Sequence, residues 1–437
     1  MSLARQLIVV AAVAGLVRGA AAQRAADSIR TLTLTDAVRL AQRNSPAAVG
    51  ARGQVRSSQA GVRSAYAAFL PNINVQATAS QNSPSGVIVD SSGHVFNGKW
   101  QNSQGFSMGL ELFDGLERLY HIRASRADVN AARANETAQT YQIALQVSQQ
   151  YYAVLAAKES EAAAQAELDQ AQQQLAVSRA KVLAQTSTKS DSLRAIIQVG
   201  DAQLALLQAR NDLQTANATL TRLVGEPYKV TADAADTLTG PAVDVDSARL
   251  AQLAEVSPAV QLAQATQQAA AADYRAAHAP YFPNISVSYD RSRVHSDSVF
   301  NFFNGGYRYN GTLRFTVSYP LFNQLQREQN VVQAQVAEQN AEAEAHDAVL
   351  LAQQNLVAYI GALRTAQQQI EIQQVSVVAA EEDLRVQQQR YQLGASILLD
   401  VLTSQTQLTQ ARLALIQARY DYRVAKAQLE ALIGQPL

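Results

Sequence analysis

The chain lacks cysteine and has no net charge, with 36 basic and 36 acidic residues among 437. The absence of cysteine excludes disulfides, a cysteine-ligated metal site, a thiol nucleophile and lipid attachment through cysteine. The charge balance argues against a nucleic-acid-binding protein, which would carry a basic excess. Aromatic residues are scarce at 6%, and the abundance of alanine, glutamine and leucine favours long helices over the core of a compact enzyme.

Sequence motifs of catalysis and metal binding are also missing. There is no HExxH, GxSxG or GxGxxG motif and no Walker loop. The five histidines share no spacing typical of metal ligands. We therefore predict no catalytic residues, no cofactor and no metal site, and expect a protein that is not an enzyme.

The first 22 residues have the layout of a secretory signal peptide. A basic start at Arg5 precedes an apolar run, Leu7–Leu16, and a stretch of small residues ending at Ala22. The alternative is a membrane anchor, but the run is about half of the roughly 20 residues that cross a bilayer. No other apolar run approaches that length, so we predict an exported chain that begins after residue 22.

The mature sequence contains two copies of one pattern. Ser45-Pro46-Ala47 recurs as Ser257-Pro258-Ala259, and Pro71-Asn72-Ile73 recurs at the same offset of 212 residues. A closing Leu-x-Gly-x-Pro pattern ends both copies, at Pro227 and Pro436. We predict a first structural repeat at 23–227, a linker or equatorial segment at 228–246, and a second repeat at 247–437.

Each copy ends in a long stretch without proline, from 85 to 226 and from 321 to 435. Because proline interrupts helices, we predict very long helices at about 114–184 and 323–392, each followed by a second long helix. The second helices carry heptad seams of a coiled coil. Their first seam positions are Val199, Leu206, Leu213 and Leu220 in one copy, and Leu408, Leu415, Tyr422 and Leu429 in the other.

Two pairs of segments alternate apolar and polar residues, 72–79 with 105–112 and 284–289 with 309–319. Each predicted strand has one apolar face and one face of Gly, Ser, Asn and Thr, as in transmembrane barrels. A barrel in lipid must close, and four strands cannot close alone, so three chains would supply twelve strands. The alternative is a soluble α+β protein whose hairpins pack on helices.

The stretches between the paired strands, 82–103 and 290–308, are rich in Gly, Ser, Asn and Asp and are predicted to be loops. They contain scattered aromatic residues: Trp100, Phe300, Phe302 and Phe303. These side chains would line the outer mouth of a pore or lie in the aromatic belt at a membrane interface. We favour the belt.

The segment from Arg390 to Gln405 resembles the RYxxGxxxxxDVLxAQ signature of TolC-type outer-membrane efflux channels. The duplicated halves and their closing motif match the same family, so the resemblance covers the mature chain. It implies an α+β membrane protein: a trimeric, 12-stranded transmembrane β-barrel with four strands per chain, continued by a long periplasmic α-helical coiled-coil barrel. Such a protein lies in the outer membrane, with its helices in the periplasm.

The resemblance also implies a function and partners. The protein would be the passive exit duct of a tripartite efflux or type I secretion system. It would work as a homotrimer with a periplasmic adaptor and an inner-membrane pump of the RND, ABC or MFS type, in contact with outer-membrane lipid and without nucleic acid. Two alternatives are a periplasmic coiled-coil adaptor or scaffold without a pore, and a general diffusion porin.

In this family the turns between the long helices form the periplasmic tip, here 181–191 and 390–400. The resemblance assigns Asp400, Asp191 and Tyr391 to the periplasmic gate. It assigns the adaptor contact to Gln185, Thr186, Gly394, Ala395 and Ser396.

Two departures from the family predict a less tightly latched gate, namely Ser396 at a position of a linking Arg and Thr403 at a position of a second acid. We expect Gly394 to permit a tight turn, a freedom that Gln185 lacks. The alternative role for Asp191 and Asp400 is to cap their helices.

Overall fold

The computed structural model describes residues 29–81, 99–233, 235–238, 246–297, 300, 302–303 and 306–437. The predicted signal peptide lies outside these residues. The chain divides into two compact units. The first comprises Met1–Gly53, Ala134–Leu262 and His346–Leu437, and the second comprises Gln54–Arg133 and Ala263–Ala345. None of the helices within the described residues is both long enough and apolar enough to cross a membrane.

The described residues form eight α-helices and six β-strands. The helices are α1 (Leu34–Asn44), α2 (Pro46–Ala67), α3 (Glu117–Leu183), α4 (Lys189–Val224), α5 (Ser247–Glu255), α6 (Pro258–Ala276), α7 (Gln326–Gln392) and α8 (Leu398–Ile433). The strands are β1 (Arg30–Leu32), β2 (Asn72–Gln81), β3 (Trp100–Asp114), β4 (Val230–Ala232), β5 (Asn284–Asp297) and β6 (Arg308–Ser318).

The internal duplication is confirmed by the helix lengths. Helices α3 and α7 both contain 67 residues, and α4 and α8 both contain 36. At 1.5 Å per residue, α3 and α7 are each about 100 Å long. Their bounds lie within a few residues of those predicted from the absence of proline.

The repeated Ser-Pro-Ala motif separates two helices at the start of each copy. The Ser45 hydroxyl accepts a hydrogen bond from the Ala48 amide at 3.2 Å, and the Ser257 hydroxyl accepts one from Val260 at 3.4 Å. The proline that follows each serine needs no donor at the first helical position. The motif therefore ends one helix and begins the next.

In the first unit, the heptad seams lie in the packed core. Leu206 and Leu220 of α4 are buried, as are Leu408 and Tyr422 of α8. Leu220 of α4 packs in one cluster with α1 and α3, and Tyr422 of α8 packs in another with α5 and α7. Leu206 and Leu408 lie in two further clusters, with α3 and α7 respectively. The predicted coiled-coil character of these helices is confirmed.

The segment predicted as a linker at 228–246 contains a strand of the first unit. Strand β4 pairs in parallel with β1, and Val230 and Ala232 are fully buried. The Tyr151 hydroxyl donates a hydrogen bond to the Leu32 carbonyl at 2.9 Å. Strands of three residues show no alternation, so the sequence pattern predicted neither of them.

In the second unit, four antiparallel strands form a sheet in the order β2-β3-β5-β6. One rung joins Ile73, Met108, Tyr289 and Leu313 across all four strands. The adjacent rung joins Asn72, Gly109, Ser288 and Arg314. Because neighbouring residues of a strand point to opposite faces, the sheet has the predicted apolar face and polar face.

Two details of the sheet differ from the prediction. Strand β5 continues to Asp297 and β3 begins at Trp100, so much of the predicted loop sequence is paired strand. The stretch 290–297 is polar but contains no glycine or proline to end it. Leu112 is not an ordinary rung residue, because the register shifts between Glu111 and Phe113 and leaves it in a β-bulge.

Candidate functional site

The two turns between the long helices have the same backbone design. The Thr186 amide donates to the Lys181 carbonyl at 2.9 Å, and the Ala395 amide donates to the Arg390 carbonyl at 2.8 Å. These six-residue hydrogen bonds are typical of the Schellman motif, which ends a helix with one residue in the left-handed conformation. Both turns lie in the first unit.

The left-handed residues are Gln185, with φ of 57°, and Gly394, with φ of 77°. A Cβ atom on Gly394 would meet no neighbour within 4 Å. Gly394 thus permits the turn as expected, but Gln185 adopts the same conformation although it lacks glycine's freedom. Left-handed backbone costs a residue with a side chain about 1–2 kcal/mol, so the first turn is strained and the second is relaxed.

Asp191 belongs to a capping box at the start of α4. Its carboxylate accepts hydrogen bonds from the Ser187 hydroxyl at 2.7 Å and from the Thr188 hydroxyl and amide at 3.0 and 3.3 Å. In return, the Thr188 hydroxyl accepts from the Asp191 amide at 3.3 Å. The hydrogen bond from Ser187 is the largest effect on the carboxyl, and the pKa of Asp191 is lowered.

Asp400 occupies the equivalent place at the start of α8. Its carboxylate accepts hydrogen bonds from the Ser396 hydroxyl at 2.8 Å and from the Ile397 amide at 3.3 Å. Ile397 has no side-chain acceptor, so only half of a capping box exists here. Asp400 is also exposed, which leaves its charge available to ions and to neighbouring chains.

Tyr391 is buried in an apolar cluster at the end of α7 that includes Leu384, Leu398 and Val401. The Lys181 ammonium lies 3.9 Å from the centre of its ring and donates to its backbone carbonyl. Within the described part of the chain, the Tyr391 hydroxyl is buried without a hydrogen-bond partner. Such a hydroxyl is costly unless another group satisfies it.

The predicted adaptor-contact residues lie at the surface of the two turns. Gln185, Thr186, Gly394 and Ala395 are exposed and Ser396 is partly buried. Large apolar side chains flank them, because Leu183 is 86% exposed and Leu393 is 85% exposed. Clustered exposed apolar side chains are typical of sites that contact other proteins.

One contact joins a predicted gate residue to a predicted adaptor-contact residue. Ser396 contacts Asp400 directly. Neither aspartate is itself an N-cap, because each follows its cap residue by three positions. Sequence reasoning missed Lys181 and Ser187, although Ser187 precedes Ser396 by the 209 residues that relate the two copies.

Nothing in the described residues resembles a resident metal centre. No group of three or more His, Cys, Asp or Glu side chains there could hold a metal ion. The two turns offer two acidic groups at helix starts and one buried hydroxyl.

The chain matches known proteins over most of its length. The model of the family described as "Outer membrane efflux protein" matches residues 37–226 and 250–435. The efflux protein BepC of Brucella suis is 24% identical over 412 residues, covering 92% of this chain and 85% of the relative. The pyoverdine export protein OpmQ of Pseudomonas aeruginosa is 25% identical over 396 residues, covering 87% and 79%.

Solved structures share the fold. VceC of Vibrio cholerae has a TM-score of 0.73 at 18% identity, covering 92% of this chain and 96% of that one. The MtrE channel of Neisseria gonorrhoeae has a TM-score of 0.73 at 19% identity, covering 92% and 89%. The predicted fold class is thereby confirmed.

Proposed function

The chain belongs to the outer membrane efflux protein family, and from this premise we propose that three copies form one efflux duct across the outer membrane. It is an outer-membrane efflux channel whose helices extend into the periplasm, and the comparisons favour this function over an adaptor without a pore. The observation that carries the trimer is the sheet order β2-β3-β5-β6, which leaves β2 and β6 as edges. Edges cannot be left unpaired in lipid.

The two faces of the sheet support this assembly. Val75 is 79% exposed and Phe315 is 69% exposed, both on the apolar face. The polar face carries mainly Asn, Ser and Thr side chains, together with Gly109 and with Arg308 and Arg314 of β6. In a closed barrel of twelve strands the apolar face would contact lipid and the polar face would line a water-filled lumen.

At the helix turns we propose contact with a periplasmic adaptor, centred on the predicted residues Gln185, Thr186, Gly394, Ala395 and Ser396. The exposed Leu183 and Leu393 beside them favour a protein partner over bare solvent. An inner-membrane pump of the RND, ABC or MFS type would supply the energy. The channel would conduct passively, catalyse no reaction and bind no cofactor.

We further propose that Asp400, Asp191 and Tyr391 form the periplasmic gate. Asp400 is exposed beside the turn, where three copies would give a ring of negative charge that favours cations. The buried Tyr391 hydroxyl lacks a partner within the described chain, and a hydrogen bond from a neighbouring copy would require a movement of the tip that uncovers it. Lys181 would hold the tyrosine ring in place through the contacts described above.

Single-channel conductance of the purified protein in a planar bilayer tests this gate. Asp400→Asn removes the charge but keeps an oxygen that can accept from Ser396 and Ile397, so it separates charge from capping. Glu382→Gln is the matched control, because Glu382 is exposed and pairs with Arg385 on the surface of α7. We expect the first variant to lose cation preference or to gain conductance, and the second to match wild type.

Each result has a distinct meaning. Conductance that does not respond to Asp400→Asn or Asp400→Ala would keep the channel but remove Asp400 from its gate. A wild-type protein that stays soluble without detergent and conducts nothing would contradict the barrel itself.

A further inference from the structure

The apolar face of the sheet carries two charged residues, Arg291 and Arg293, near one end of β5. Arg291 pairs with Phe106 and Gly311, and Arg293 pairs with Gln104 and Tyr309. Paired residues share a face of the sheet. Both arginines therefore lie on the same face as Phe106, the face that would contact lipid.

The level of the arginines follows from two aromatic residues, Tyr309 in β6 and Tyr319 directly after the end of this strand. Tyr309 and Tyr319 are both exposed, and the apolar residues Leu313, Phe315 and Val317 lie between them. Ten residues at about 3.4 Å each, tilted by about 40°, rise about 25 Å, which is the height of the apolar band of an outer-membrane barrel. The two tyrosines thus mark the two interfaces.

The arginines lie at the outer of these interfaces. Helix α7 begins at Gln326, shortly after Tyr319, so the Tyr319 end of β6 leads to the periplasmic helices. Tyr309 is at the opposite end, and the Arg291 guanidinium carbon lies 5.8 Å from the centre of its ring. At this level a charged side chain contacts headgroups and avoids the cost of the bilayer centre.

The geometry of Arg293 is fixed by neutral groups. Its Nε donates to the Gln104 side-chain oxygen at 2.7 Å, and its guanidinium carbon lies 4.5 Å from the Tyr307 ring centre. Gln104 is itself held by a hydrogen bond to the Phe302 carbonyl at 2.7 Å. Among the side chains that the structure describes, neither Arg291 nor Arg293 is joined to a carboxylate.

A groove adjoins the two guanidinium groups. It has a volume of about 380 Å³ and is lined by both arginines together with Phe106, Phe302 and Tyr309. Strand β5 lies between β3 and β6. A neighbouring copy that pairs with the edge strands would therefore not pair with the strand that carries the arginines.

We propose that Arg291 and Arg293 bind the phosphate group of a phosphorylated lipid in the outer leaflet, with its acyl chains along the apolar face beside Phe106. Guanidinium groups match phosphate oxygens with two parallel hydrogen bonds. Free phosphate would gain nothing from the apolar wall, so the lipid is the favoured source. The proposal rests on the outward orientation of the apolar face proposed above.

Native mass spectrometry of the detergent-purified protein tests the site. The probes are a glucosamine-based acyl lipid bearing two phosphates, the same lipid without phosphate, and inorganic phosphate. The test variant is Arg291→Gln with Arg293→Gln. The matched control is Arg308→Gln with Arg314→Gln, which removes the same charge from the opposite face of neighbouring strand β6.

We expect the test variant to bind the phosphorylated lipid about 30-fold more weakly than wild type, since each of the two basic side chains near a headgroup contributes about fivefold. The control should bind like wild type, and the lipid without phosphate should bind all three weakly. Equal losses in test and control would overturn the site, as would unchanged binding in the test variant. Competition by inorganic phosphate at equal concentration would overturn the lipid as its occupant.

A second pair of substitutions decides the matter if the glutamine pair does not assemble. Arg291→Lys with Arg293→Lys keeps the positive charge but removes the planar guanidinium group. If the arginines hold the phosphate with two parallel hydrogen bonds, this variant should bind the phosphorylated lipid more weakly. Unchanged lipid binding would overturn that geometry. Conductance separates this proposal from the channel. A protein that conducts normally but does not discriminate the lipids would refute the lipid site alone.

Discussion

Replacing Gln185 by glycine should stabilise the first helix turn, whereas replacing Gly394 by alanine should destabilise the second. Both residues adopt left-handed backbone, with φ of 57° and 77°. A side chain in this conformation costs about 1–2 kcal/mol, and the reduced freedom of the unfolded chain returns about 0.4–1 kcal/mol. Because no atom lies within 4 Å of a Cβ on Gly394, sterics add nothing. The net change is about 1 kcal/mol in each direction.

Hydrogen exchange of the backbone amides at the two turns measures this difference locally. We expect protection at the second turn to fall about fivefold in Gly394→Ala, and protection at the first turn to rise about fivefold in Gln185→Gly. Gly200→Ala is the matched control, because Gly200 lies inside α4 and its Cβ would also meet nothing within 4 Å. There the same substitution should increase protection, since alanine favours helix by about 1 kcal/mol.

The direction of each change in amide protection decides whether the explanation holds. If Gly394→Ala and Gly200→Ala shifted protection in the same direction, backbone conformation would not explain the turn. If Gln185→Gly lowered protection, the strain assigned to Gln185 would be refuted.

Three further outcomes concern charge and packing. The lowered pKa of Asp191 means that its capping contribution is present above the ordinary pKa and is lost below about pH 4; Ser187→Ala should move that loss of tip protection to higher pH. Partial desolvation and the nearby Asp128 carboxylate raise the pKa of Asp273. Because this residue is exposed, Asp273→Asn should raise the thermal midpoint only slightly at pH 7, with no gain below about pH 4. Leu363→Ala, at a buried site, should cost about 2–5 kcal/mol of unfolding free energy, whereas Leu350→Ala at an exposed site should cost far less.

Long-range regularity made most of the fold predictable. The absence of proline marked the stretches that contain α3 and α7, and the predicted bounds of these helices, 114–184 and 323–392, lie within three residues of the observed ones. The alternation of apolar and polar residues likewise predicted β5, which contains Tyr289, and its two neighbours in the sheet, β3 and β6. These patterns repeat one local rule over many residues, so single exceptions do not hide them.

Features made by a few residues escaped prediction. Strands β1 and β4 have three residues each and exist because burial and tertiary hydrogen bonds stabilise them. Gln185 adopts left-handed backbone, a conformation that usually requires glycine, so its residue type did not predict the turn. Lys181 is one basic residue among many, and its place over the Tyr391 ring depends on packing between segments 210 positions apart.

The equal lengths of α3 and α7 constrain how sequences of this type can change over evolutionary time. Lys181 meets Tyr391 at the ends of these helices. Deleting one residue from either helix alone would draw its end back by about 1.5 Å and rotate it by about 100°, which would break this contact. Length variation should therefore arise as paired insertions or deletions in the two copies, in multiples near seven residues, which return the end of each helix to nearly its original orientation. A duplicated gene can diverge freely in sequence while its two halves remain bound to a common length.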